Sequence, residues 1–361
     1  MTTESKRKHS TDSEYSGDSA DSEDAADSAD SSDSDSKRPK KIPKYNEYGK
    51  PRYYLSSDFD KILPINWKSQ IAAWCTEDLP PFDYAEHVVG HEVKTATLYG
   101  KSKGYLAGVP FFEEVFHHLG CEVKWHVNEG VKLGDKADKK TAIATVKGPV
   151  NKILYGETTA INLLSICSGI ATQTSIVNTS LERHNYSKQT FTASTHNMTP
   201  GFRLVEEYGL LVGGVRCKQL DPSNTILLDQ NHIWACKSVN NMIDIAKAAS
   251  GLTHKIAVAV NNYRDALNAS RVCVDTIILQ DFSSKDMKLI MKKSKDINSP
   301  SLFATRIETT REQLHDISFA GKFSKVYSSF LIIETLELDI LCTNLFHEGS
   351  MPMNFYLEFN R

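Results

Sequence analysis

The sequence predicts an α/β protein in which a mixed portion is followed by a longer run of alternating strands and helices. A polar tail precedes both. Three observations carry this expectation. After Cys167, short β-branched runs alternate with amphipathic segments, which calls for parallel strands with right-handed crossovers in either a barrel or an open sheet. Between Leu63 and that point, helical and strand-like stretches are interleaved more irregularly. Finally, residues 1–50 contain a serine- and aspartate-rich stretch unable to form a core. With 361 residues, of which 40% are hydrophobic, the chain can bury enough surface for two domains.

The tail carries the charge asymmetry. Between Asp12 and Ser36 there are ten acidic residues and no basic ones, so a formal net charge of −3 leaves the remainder at +7. The segment is expected to be disordered. Basic clusters flank it, Lys6-Arg7-Lys8 before and Lys37-Arg38-Pro39-Lys40-Lys41 with Lys44 after. One reading is nuclear import, or docking to a protein partner through a segment that phosphorylation at Ser32, three residues before Asp35, would make more acidic. The other is a solubilising tail with incidental basic flanks. Outside the two clusters the positive charge is dispersed and no nucleic-acid motif accompanies it, so nucleic acid is not an expected partner.

Mean hydropathy is −0.36, and no run approaches the ~20 apolar residues that span a membrane. The start, Met1 to His9, is polar and basic with no apolar region behind it, so no secretory signal is expected. Seven scattered cysteines (Cys75, Cys121, Cys167, Cys217, Cys236, Cys273, Cys342) form no C-x-x-C pair. They read as reduced thiols of the cytoplasm, the nucleus or both, with neither a disulfide frame nor a zinc site. The sequons at Asn178, Asn185, Asn197 and Asn268 are then chance matches.

Taken in order, Ile65 to Cys75 has helical periodicity, Val93 to Tyr99 alternates as a strand, and Phe111 to Leu119 places Phe112, Val115, Phe116 and Leu119 on one helical side. Cys121–Trp125 and Ala142–Val146 are strand-like, with turn residues between them. His87 and His91 lie near Glu92, but two histidines without a third ligand read as surface polarity rather than metal. Further on, strands are expected at Thr225–Leu228, Lys255–Val260, Thr276–Leu279, Leu302–Thr305 and Lys325–Tyr327. Helices are expected at Phe202–Leu211, Asn240–Ser250, Tyr263–Val272, Ser284–Lys293 and Thr310–Phe319.

The most informative stretch runs from Thr195 to Gly214. Thr199 can cap a helix, Pro200 suits its first position, and Leu204, Val205, Tyr208 and Leu211 follow at helical spacing. The polar run Thr195-His196-Asn197 before such a start can offer groups to an anion. This stretch resembles the signature T-R-K-T-T-P-G-[FL]-R-L-[VL]-E-K-Y of quinolinate phosphoribosyltransferases, also called carboxylating nicotinate-nucleotide pyrophosphorylases. Gly104–Phe112, Gly156-Glu157, Ala160–Leu164, Cys167–Ala171 and Asn231–Ile233 match further family segments in the family's order, from about Leu63 to Phe346.

The resemblance implies a fold and a division of the chain. Residues 60–165 would form an α/β sandwich, completed by 336–361 and lending residues to a neighbouring subunit's site. Residues 166–335 would form an incomplete α/β barrel with its chemistry at the strand carboxyl ends. A homodimer, or a mixed dimer with an active relative, is the implied assembly.

The family's reaction serves NAD biosynthesis. It joins quinolinate to phosphoribosyl pyrophosphate, giving the pyridine nucleotide nicotinate mononucleotide with pyrophosphate and carbon dioxide. It needs cationic donors for two carboxylates, a phosphate nest, and carboxylates for Mg²⁺. Set against the family motifs, this chain departs at most of them. His196 and Asn197 stand where the family has arginine and lysine, Thr158 where an arginine crosses the dimer, and Lys218 and Gln219 where it has His-Arg. Asp229 replaces a lysine, Ala257 and Ala259 replace two glutamates, and Gln280 replaces an aspartate, although Asp281 follows. The phosphate turn S-G-G falls at Thr305-Arg306-Ile307, and a later strand-end glycine near Ser329. Ser168, Thr195, Arg203, Asn231 and His232 match family positions and are assigned to helix-end, loop and barrel-mouth hydrogen bonds.

A charge-assisted hydrogen bond contributes about 1.5–3 kcal/mol. Losing four or five such donors would therefore cost several powers of ten in rate. The expected function is a binding or regulatory protein on this fold that has lost catalysis and needs no cofactor. The alternative is residual or altered phosphoribosyl transfer, which would require Mg²⁺.

Overall fold

The computed structural model describes residues 59–134, 140–183, 191–195, 197–215, 224–251, 253–307 and 338–360. The acidic tail, the helix expected at Thr310–Phe319 and the strand expected at Lys325–Tyr327 lie outside the described residues. The remainder is a mixed α/β fold with two principal sheets of opposite character.

The first sheet is antiparallel and four-stranded. Strands β1 (Val93–Gly100), β3 (Glu122–Trp125), β5 (Thr141–Pro149) and β12 (Phe355–Phe359) lie in the order β12-β1-β5-β3. A bulge between Leu98 and Tyr99 on β1 adjusts the register with β5. Two short strands, β2 (Gly104–Tyr105) and β4 (Lys132–Leu133), form a separate ladder. Helices α1 (Trp67–Asp78), α2 (Tyr84–Val89) and α3 (Val109–His118) accompany this half. Helix α3 starts after Gly108, whose φ of 95° suits a residue without Cβ, and it carries Pro110 in its first turn. It then buries Phe111, Phe112, Val115 and Phe116 completely.

Glu129 fastens this start to the rest. Its carboxylate accepts hydrogen bonds from the backbone N–H groups of Gly108 (2.7 Å) and Val109 (3.2 Å) and from the Tyr208 hydroxyl (2.5 Å). Burial pushes its pKa up to about 7, because the apolar surroundings penalise the anion more than those three donors stabilise it.

Helix α4 (Val150–Arg183) is the longest element, at 34 residues. By length and composition Val150–Thr179 could cross a membrane, which corrects the expectation that no stretch approaches that size. It is instead a core helix, with 72% of its most apolar window buried inside the protein. Helix α5 (Arg203–Val212) crosses it at short range. A Cβ on Gly209 would lie 2.8 Å from the Cys167 carbonyl oxygen, and one on Gly213 would lie 2.5 Å from Thr174 Cβ and 2.8 Å from the Ala171 carbonyl oxygen. The helix does not begin at a Thr199 cap. Thr199 to Phe202 form a turn, and Glu206 reaches back so that the Thr199 N–H (2.9 Å) and hydroxyl (2.6 Å) donate to its carboxylate.

The second sheet is six-stranded and wholly parallel. Strands β6 (Phe191–Ser194), β7 (Thr225–Leu228), β8 (Lys255–Val260), β9 (Thr276–Leu279), β10 (Leu302–Ile307) and β11 (Ile340–Thr343) lie in the order β6-β11-β10-β9-β8-β7. The sheet curls into half a barrel, and among the described residues its edge strands β6 and β7 are not paired with each other. Helices α6 (Gln230–Cys236), α7 (Val239–Ser250), α8 (Tyr263–Arg271) and α9 (Ser284–Asp296) connect its strands. Ser238, Asn262 and Ser283 cap the last three by accepting from the backbone N–H at the third helical position.

Two measurements test these supports. Gly213→Ala must push two helix backbones apart, so it is expected to lower stability by roughly 1–3 kcal/mol in urea unfolding. A loss below a few tenths would show that the crossing yields.

Glu129 makes stability depend on pH. Its folded pKa lies above the unfolded value, so the folded state holds the proton more tightly; its contribution is complete below about pH 4.5 and is lost as pH rises through about 7. Relative to Glu129→Gln, the wild type should lose roughly 2–3 kcal/mol between pH 5 and pH 8. A difference between the two proteins that does not change with pH would remove this assignment.

Candidate functional site

Alternation along the parallel strands sends side chains to two different environments. On the outer face Ile256, Val258, Val260, Ile277, Leu279, Phe303 and Leu341 join the core packed under the connecting helices. On the inner face Ala257, Ala259, Ile278 and Ala304 form their own small cluster, with Leu227, Ile340 and Cys342 beside it. This concave inner face, together with α5 and the segment after β6, lines a cavity of about 640 Å³.

Several expected site residues lie around this cavity. Thr195, just past the end of β6, is 4% exposed and lines the cavity, and its hydroxyl has no hydrogen-bond partner among the described residues. Arg203 opens α5 and directs Nη1 to Glu207 Oε1 at 3.2 Å. Both residues line the cavity, and the Glu207 side chain is 5% exposed. Met198 lines it as well, and Ala257 contributes from β8. Asn197 is exposed, and its backbone carbonyl lies 2.8 Å from Nε2 of the buried His347. Nδ1 of that ring faces the Ser194 hydroxyl at 2.9 Å. The Ser194–His347–Asn197 connection ties β6 to the C-terminal segment. Sequence reasoning missed it, because 153 residues separate Ser194 from His347.

Other expected positions have local structural work. Asp229 is the N-cap of α6, accepting from the N–H groups of Asn231 (3.0 Å) and His232 (3.2 Å), while the His232 ring lies 2.6 Å from the same carboxylate oxygen. That contact and the two backbone donors hold the Asp229 carboxyl below its ordinary pKa. Asn231 and His232 are exposed in this cap. Ser168 is fully buried on α4, donating to the Ala107 carbonyl and accepting from the Ala107 N–H, both at 2.9 Å. Gln280 donates its backbone N–H to Val260 at 2.9 Å. Thr158 is exposed on α4. His196, Lys218, Gln219 and Ser329 lie outside the described residues.

One expectation is corrected. Thr305, Arg306 and Ile307 do not form a turn; they are the last three residues of β10, paired in register with Leu341, Cys342 and Thr343. Two β-branched residues and no glycine favour the extended strand over a tight turn. Thr305 alternates with the inner-face Ala304, and its hydroxyl donates to the Leu279 carbonyl at 3.1 Å. Arg306 is half-buried in the strand. Among the described residues no three His, Cys, Asp or Glu side chains converge. Ala257, Ala259 and Ala304 stand at inner strand positions.

Comparison with known proteins agrees with this architecture. Residues 83–168 match the family model described as quinolinate phosphoribosyl transferase, N-terminal domain, and residues 170–314 match the C-terminal domain of the same family. A Dictyostelium discoideum protein named nicotinate-nucleotide pyrophosphorylase [carboxylating] is 37% identical over 243 residues, covering 64% of this chain and 81% of that protein. The human protein of that name is 34% identical over 224 residues, covering 62% and 73%. Among solved structures, a NadC deletion mutant aligns with a TM-score of 0.68 at 22% identity, over 82% of this chain and 97% of that one. NadC from Streptococcus pyogenes aligns with a TM-score of 0.66 at 23% identity, over 82% and 98%. With both family domains matched in order and the half-barrel fold shared, the chain belongs to the quinolinate phosphoribosyl transferase family.

Proposed function

We propose that this chain has lost the phosphoribosyl transfer reaction and uses the family scaffold to bind rather than to convert. The observation that carries the reading is the apolar inner face of the half barrel, where Ala257, Ala259, Ile278 and Ala304 stand together. A pyridine dicarboxylate and a pyrophosphate ester bring several negative charges. Moving such groups out of water into a cavity whose lining carries only two cations, Arg203 and Lys255, leaves most of their charge uncompensated. The charged pair on the wall, Arg203 with Glu207, is already neutralised internally. Asp229 caps a helix and is held ionised, so it adds negative charge near the strand ends.

The names of the 37% and 34% identical relatives favour the alternative, residual conversion of quinolinate and phosphoribosyl pyrophosphate to nicotinate mononucleotide. A direct assay separates the two. Purified protein with quinolinate, phosphoribosyl pyrophosphate and Mg²⁺ is expected to release no pyrophosphate above the protein-free background. Turnover within tenfold of a relative carrying the pyrophosphorylase name would overturn the proposal.

The proposal includes a homodimer. Around α2, Phe82, Tyr84, Val88 and Val93 are between 58% and 79% exposed, a concentration of apolar surface that a second copy would cover. In sedimentation experiments the wild type is expected at twice the chain mass. Val88→Asp, at a position 79% exposed, should shift it toward the monomer without lowering the melting temperature. A monomeric wild type would remove this part of the reading.

A further inference from the structure

The antiparallel half holds a second cavity, of about 660 Å³, between the turn before α1, helices α1 and α3, and the segment after β3. It shares no lining residue with the half-barrel cavity. Its charge is one-sided. Among the described residues four carboxylates line it, from Asp60, Glu113, Glu114 and Glu129, against the single lysine Lys68 and the imidazole of His117; Asn128 adds an amide. The rest of the wall is carbon, from the rings of Trp67 and Trp125 with Val109, Pro110 and Val127. The Trp125 ring nitrogen is enclosed by protein, so what this indole offers the cavity is carbon.

A cation already in place shows how wall and charge act together. Lys68 Nζ donates to Glu114 Oε2 at 2.6 Å and lies 5.3 Å from the centre of the Trp67 ring, the combination of carboxylate and aromatic face that attracts an ammonium group. That contact compensates one carboxylate of the four. Asp60 and Glu113 are exposed, and among the described residues no hydrogen bond or ion pair engages either side chain. The negative charge of Asp60 adds to burial in raising the Glu129 pKa, so these two carboxylates repel each other. A further cation would relieve a repulsion that the protein leaves in place.

We propose that this cavity binds an organic cation with an alkylated ammonium head, set against the Trp67 and Trp125 rings and facing Asp60 and Glu113. A metal ion suits the cavity less well, because its carboxylates do not converge as a ligand set. An alkylated ammonium needs no such convergence: it spreads its charge over methyl groups that pack on carbon while the carboxylates act at longer range. The inference is independent of whether the half barrel retains any chemistry.

Choline and 3,3-dimethylbutan-1-ol have the same shape and differ by one positive charge. Calorimetry is run on the full-length protein at pH 8, where imidazole is neutral and Glu129, with a pKa of about 7, is mainly ionised. Choline is expected to bind with a dissociation constant of about 1 mM, and the alcohol at least about tenfold more weakly. Glu113→Gln should weaken choline about threefold. Lys68→Ala should tighten it about threefold, because it removes the competing cation and frees both Trp67 and Glu114. Both substitutions fall on exposed positions, so neither threatens the fold. A short peptide carrying trimethyllysine separates the two sources of such a head: tighter binding than choline assigns the ligand to a protein chain, and weaker binding assigns it to a free small molecule. Absence of choline binding, equal binding of the alcohol, or an affinity that does not rise in Lys68→Ala would each overturn the proposal.

Discussion

The crossing of α4 and α5 is the constraint on which the rest of the fold depends. Gly209 and Gly213 are four residues apart and therefore share a helix face, which lets the α5 backbone approach Cys167, Ala171 and Thr174 to within a distance no Cβ would allow. The two helices then serve both cores at once. Ile170, Val177 and Leu210 belong to the core beneath the parallel sheet, while Leu163, Leu164, Val205, Tyr208 and Leu211 belong to the core of the antiparallel half. The polar side chains along α4 have a related role. Gln173 donates to the Leu345 carbonyl and Thr174 to the Phe346 carbonyl, while the backbone N–H of Met353 donates to the Ser165 carbonyl. The C-terminal segment is thereby laid along α4, with Gly169 giving it room at Met351, and it delivers β12 to the edge of the antiparallel sheet.

Which parts of this were legible in the sequence follows from how each element meets water. Strands β7, β8 and β9 are short apolar, β-branched runs between turn residues, and their expected bounds coincide with the observed ones. Helices α7, α8 and α9 present one buried face each, so their periodicity gave them within a few residues. Helix α4 was not foreseen as a unit because it packs on several sides and has no single apolar stripe. Helix α6 was missed for another reason. Its Asp229–His232 start reads as a polar loop, and only the capping geometry shows that those residues begin a helix.

The site was legible in outline and not in mechanism. In the structure Thr195, Arg203 and Ala257 line the cavity and Ala259 lies on the inner sheet face. Resemblance could not place partners that come from distant sequence, such as His347 meeting Ser194. It also carried a glycine turn onto Thr305–Ile307, where β-branched side chains and pairing with β11 continue the strand. A motif transferred by alignment carries its backbone conformation along, and that conformation fails first where the glycines are gone.

The division of the parallel sheet into two faces separates what holds the scaffold together from what lines its interior. The outer face belongs to the large core under the helices, and the inner face forms a small cluster of its own. Inner-face side chains therefore contribute little to holding strands and helices together. A carboxylate in that position is retained only while a bound cation or substrate compensates its desolvation; without one, it is a buried unpaired charge. An alanine there carries no such cost, and Ala257, Ala259 and Ala304 occupy inner positions in this chain. What stands on the inner face can therefore change while the fold is held by the two larger cores.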